Sequence, residues 1–191
     1  MKLIQDITVE QYMKIKLISE SYVEEPDKLS SELVKLIHGT LNVKKSTADE
    51  TLEQLGQLLL AKHDFVNRFK FDGVEYGFIP SLEDMSVGEF VDIEEYSKGE
   101  IQLHKLLAIL YRPITKKYGK MYDIEPYESA SKTSDIMKNV SYKIGVGALL
   151  FFSLLKEHLL RDLAIYTKNQ EMKVKTLQKK AVLQENSVGI Q

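Results

Sequence analysis

The spacing of apolar residues changes several times along this chain, and each change predicts an element. Over the first third the period is helical. Thr8 with Gln11 makes a capping box, with Ile7 and Tyr12 as its hydrophobic staple, so a helix starts at Val9 and runs through Tyr12, either Ile15 or Leu17, and Ile18 until Glu24-Glu25-Pro26 interrupts it. Asp27 caps a second helix with the stripe Leu29, Leu33, Leu36 and Ile37 and a left-handed stop at Gly39, antiparallel to the first. Thr47 with Glu50 forms another capping box, and Leu52, Leu55, Leu58 and Leu59 carry a third helix to about Val66.

From Phe69 to Phe78 the pattern alternates about Asp72-Gly73, which predicts a β-hairpin with a type I′ turn. An isolated hairpin is marginal in water, so its aromatic faces need helices or another strand against them. Ser86 with Glu89 opens a helix through Phe90, Ile93 and Tyr96 that stops near Gly99. Glu100 begins the next, whose stripe is Leu103, Leu106, Leu107 and Leu110 and which ends at Arg112, because Pro113 disfavours helical dihedrals before it. Residues between Pro113 and Pro126, with Gly119 in the middle, read as a second hairpin or an exposed ordered loop. A polar connector from Ser129 to Asn139 holds a short helix from Asp135.

Ile144 to Leu155 is apolar on every side, so a helix there is expected to be enclosed and to form the core. Twelve residues cover roughly 18 Å against a hydrocarbon layer of about 30 Å, so lipid is not the expected surrounding. The stripe continues through Leu159, Leu160, Leu163 and Tyr166. Gly145, Gly147 and Ala148 lack the spacing of a phosphate loop and leave a flat face for close approach of another backbone. The expected fold is mainly α within an α+β class: a helical domain around a long buried central helix, with one β-hairpin and a candidate second. Three parts are expected: residues 1–67 as an N-terminal helical unit, 68–167 as the hairpin and helical core, and 168–191 as a basic C-terminal extension.

Composition removes several chemistries. Among 191 residues there is no cysteine, which excludes disulfides, thiolate zinc sites and cysteine nucleophiles. The net charge of −2, from 26 basic and 28 acidic side chains, gives no global attraction to nucleic acid or an anionic membrane. The N-terminus lacks an apolar run of signal-peptide length, so synthesis in the cytoplasm is expected. His38, His63, His104 and His158 lie far apart without ligand spacing, and neither a metal nor a cofactor is expected. Asp92 and Glu95 share a helical face, as a carboxylate pair for acid/base chemistry must, but acids in the N-terminal half of a helix are also explained by its dipole. The expectation is a protein that is not an enzyme.

Two features point to partner binding. Tyr111, Arg112 and Pro113 place an aromatic, a guanidinium and a rigid ring at the end of an amphipathic helix, the residue types of interface hot spots. The final segment carries Lys168, Lys173, Lys175, Lys179 and Lys180 with a loose apolar stripe of Val174, Leu177 and Val182, a pattern that docks on a partner or frays. The same lysines leave nucleic acid as a lesser alternative.

Phe69 to Pro80, Gly88 to Glu94, Leu103 to Ile114 and Tyr122 to Tyr127, with the later Gly-Ala-Leu-Leu-Phe-Phe run, together resemble small proteins encoded among the structural genes of tailed bacteriophages, in particular the crAss-like phages of gut Bacteroidetes. The resemblance implies a virion structural or assembly protein, of capsid, neck or tail, made in the host cytoplasm. Its partners would be other phage structural proteins and copies of itself, with no membrane contact. A tail assembly chaperone not retained in the virion is the alternative under the same resemblance, and an intracellular adaptor or regulator the alternative outside it.

Overall fold

The computed structural model describes residue 4, residues 6–155, and residues 157, 161, 168 and 172. Two compact units divide the chain, Met1–Leu150 and Phe151–Gln191, so the segments 1–67 and 68–150 fall in one unit. The architecture is α+β.

The first unit opens with three helices, α1 (Val9–Ser21), α2 (Pro26–His38) and α3 (Lys45–Leu60). Thr8 closes the expected capping box on α1, accepting from the Gln11 amide while the Gln11 side chain accepts from the Thr8 amide. The α2 helix starts one residue before Asp27, with Pro26 at its first position, where a missing N–H costs nothing, and stops at Gly39 with φ 73°. For α3 the expected cap is displaced: Lys44 occupies the N-cap position without a side-chain bond, and Thr47 lies inside the helix, its carbonyl accepting from the Thr51 hydroxyl at 2.7 Å. The helix also ends at Leu60 rather than near Val66.

Four strands form one antiparallel sheet in the order β1 (Arg68–Phe71), β2 (Val74–Phe78), β3 (Tyr111–Tyr118), β4 (Met121–Ile124). The β1–β2 turn has positive φ at both Asp72 (48°) and Gly73 (77°), the signature of the expected type I′ turn. The third strand supplies the neighbour the first hairpin required: Phe78 pairs with Tyr111 and Tyr76 with Pro113. The second hairpin turns at Gly119, and its ladder shifts register between Ile114 and Lys116.

Between β2 and β3 the chain makes α4 (Val87–Tyr96), a turn of 3-10 helix at Glu100–Gln102, and α5 (Leu103–Leu110). This second helix ends two residues earlier than expected and passes straight into β3. In α5 the side chains of Leu103, Leu106, Leu107, Ala108, Ile109 and Leu110 are all buried, so this short helix and Tyr111 beside it form a continuous part of the core. Ala130–Lys132 forms a 3-10 turn, followed by α6 (Ser134–Met137).

Residues 138–141 then seal the start of α1. The amides of Val9 and Glu10 donate to the carbonyls of Val140 and Lys138, each at 2.9 Å, and Tyr142 donates to the Ile7 carbonyl. The helix that follows, α7, is described over residues 142–155. Its glycines do what their spacing implied. A Cβ on Gly147 would stand 2.5 Å from the Asp64 carbonyl oxygen, and one on Gly145 would meet Leu103, Leu107 and Val9 at 3.1–3.3 Å. Only a bare backbone fits against residue 64. Leu150, by contrast, is half exposed, so in this chain alone α7 is not enclosed on every side. Among the described residues, no helix is long and apolar enough to cross a membrane.

Candidate interaction surface

Along α4 the sequence shows one apolar series, and burial divides it. Phe90, Ile93 and Tyr96 are the apolar positions through which the sequence predicts this helix. In the structure Ile93 is fully buried, yet its inward companion is Glu89, and Phe90 is 52% exposed. Val87, Phe90 and Val91, at positions i, i+3 and i+4, form an outward apolar stripe with Val87 81% and Val91 54% exposed. Single exposed apolar residues need no explanation, but three on one helix face make a contiguous patch.

Glu89 faces inward because its charge is matched there. One carboxylate oxygen accepts from the Ser86 amide at 2.7 Å, completing the capping box, and the other lies 2.7 Å from Nη2 of Arg112. The two side chains are 7% and 11% exposed, so this is a buried ion pair in which both charges depend on each other. The Arg112 guanidinium also sits 5.8 Å from the Tyr127 ring centre, and the Tyr127 hydroxyl donates to Asp92, one turn further along α4. Burial and that carboxylate together push the Tyr127 phenol above its ordinary range. Two polar moorings, Glu89 to β3 and Asp92 to the segment after β4, therefore fix α4 with its apolar stripe outward.

The same geometry turns the residues expected as a hot spot, 111–113, inward instead of presenting them at an exposed corner. Tyr111 is fully buried, packed edge-on against Phe69 and Phe78, and its hydroxyl donates to the Val66 carbonyl. Burial raises its pKa above the usual phenol range. Arg112 is committed to Glu89. Its Nε is the buried side-chain polar atom without a partner among the described residues, beside a cavity of about 10 Å³ that has room for about one water. Pro113 is half-buried at the end of the β2–β3 ladder, and its carbonyl accepts from the Glu125 amide. Since the chain continues as a strand rather than turning away, no exposed corner forms. These residues hold the surface from behind. Val174, Leu177 and Val182 lie outside the described residues.

The remaining polar candidates are scattered. His38 Nε2 meets the Thr51 hydroxyl at 2.8 Å, and because that hydroxyl donates to Thr47, the ring nitrogen is the donor. His63 Nε2 lies 2.6 Å from the Tyr142 hydroxyl, and His104 Nδ1 lies 3.1 Å from Met13 Sδ. His158 lies outside the described residues. Among the described residues no group of three or more histidine or acidic side chains is placed to hold a metal ion. Of the carboxylate pair, Asp92 accepts from Tyr127 and Glu95 stands exposed. A cavity of about 360 Å³ opens between the N-terminal helices, lined by Ile7, Ile37, His38, Glu50 and Thr51 among others.

No protein-family model, curated protein or solved structure matches the chain.

Proposed function

We propose that this chain is a non-enzymatic structural or assembly protein of a tailed bacteriophage virion, working through protein–protein contacts in a symmetric assembly. The observation that carries the reading is the α4 stripe: Val87, Phe90 and Val91 are held outward by a buried ion pair and a capping box. Burying a polar pair so that an aromatic and two valines face solvent has a use when that face meets another protein. The resemblance of residues 69–127 to phage structural-gene products supplies the setting, with other virion proteins and copies of this chain as the partners and the virion as the location.

The same reading accounts for α7. In the assembly Leu150 is covered by a neighbour, and α7 becomes the long, buried, central helix of a mainly helical domain. The test is the solution mass of the full chain against that of Phe90→Glu over a range of concentrations. Self-association weakened by the variant supports the reading, and equal association in both removes α4 as the contact.

A further inference from the structure

The α4 face has a charge as well as an apolar stripe. From Ser81 to Ser97 the chain carries six acidic side chains and no basic one. Glu89 is neutralised by Arg112 and Asp92 is bonded to Tyr127, whereas Glu83, Asp84 and Glu95 are exposed at the two ends of the stripe. The surface is thus an apolar strip with acidic ends. Residues 168–191 have the complementary sequence: five lysines against two glutamates, with Val174, Leu177 and Val182 returning at about helical spacing.

Resting on the function proposed above, we infer that the occupant of the α4 face is the segment 168–191 of a second copy of this chain. Laid along α4, that segment sets its apolar side chains against Val87, Phe90 and Val91, and its lysines against Glu83, Asp84 and Glu95. Such a contact joins two different surfaces of the same chain. Each such contact leaves the pair one free tail and one free face, so it propagates to a closed ring or an open filament, the geometry that a repeated virion component uses.

This heterologous geometry gives a test by mixing full-length variants. Phe90→Glu destroys the face and keeps the tail; Val174→Glu/Leu177→Glu destroys the tail and keeps the face. The wild-type chain associates with increasing concentration, and each variant alone weakens that association by at least about thirtyfold, the loss expected at a central hot spot. Mixed together, the two variants form a complex of two chains that grows no further, because the one intact tail meets the one intact face. Added salt weakens both the wild-type oligomer and the mixed pair.

If Phe90→Glu dissociates the oligomer while the tail variant does not, the tail assignment is overturned and the α4 reading stands. Full association in Phe90→Glu overturns both, as does a wild-type chain that stays monomeric, which includes the case of a tail docked on its own chain. Both variants must keep the wild-type far-ultraviolet spectrum. A variant that loses it is replaced by Val91→Glu for the face, or by Lys179→Glu/Lys180→Glu for the tail, and the mixing is repeated with the same readings.

Discussion

Glu89 and Arg112 are each buried only because the other is there. Replacing Arg112 by Met strands a carboxylate in the interior and is expected to destabilise the chain by about 3 kcal/mol or more. Replacing Glu89 by Leu as well recovers part of that loss, a coupling that urea denaturation of the two single variants and the double variant measures. A second test at this scale concerns Gly147. Its Cβ would press on the backbone of Asp64, which cannot swing aside, while that of Gly145 meets the ends of flexible side chains. Gly147→Ala should therefore lower the melting temperature more than Gly145→Ala, despite the helix propensity both gain.

His104 supplies the pH dependence. Burial, with Lys138 and Lys105 nearby and opposed only by Asp135, holds its imidazole below the ordinary value of 6.5. As pH falls through that value the unfolded chain takes up a proton that the folded chain refuses, so stability is lost on acidification down to the depressed folded value. His104→Gln should flatten the change in melting temperature between about pH 7.5 and about pH 5.5. The glycine packing was legible in the sequence, since small residues in an apolar helix have few other uses. The inversion of Glu89 and Phe90 was not, because the cation that permits it lies 23 positions further along the chain.

Among the elements, local signals were read well and boundaries set by tertiary contacts were not. Thr8 and Ser86 close capping boxes on α1 and α4, so Thr8→Ala and Ser86→Ala should each cost about 1 kcal/mol in chemical denaturation. Thr47 has the same sequence signature but lies within α3, so Thr47→Ala should stay within about 0.5 kcal/mol of the parent. The Asp72-Gly73 turn was legible because few residue pairs accept positive φ twice in succession. The end of α5 was not, since Tyr111 leaves the helix to pair with Phe78, a contact no local pattern contains. Pro113 signalled a break and set it two residues late. The α+β class followed from the first hairpin, while the full sheet depends on β3 joining two hairpins separated by more than 30 residues.

At the scale of the whole molecule, an average charge near zero conceals an acidic face on α4 and a lysine-rich C-terminal segment. The sequence pointed to partner binding through Tyr111 to Pro113, whereas in the fold Tyr111 is buried and Arg112 is paired with Glu89 behind the α4 stripe. Hot-spot residue types do not reveal which way a side chain points; burial does. The account turns on the α4 stripe being a contact surface, and one comparison tests that most directly: light scattering of the purified full-length chain and of Phe90→Glu across a common concentration range. The expected result is a wild-type mass that rises above the monomer and a variant that stays monomeric with the wild-type far-ultraviolet spectrum, since Phe90 contributes little to the fold from its exposed position. Indistinguishable mass curves would contradict it.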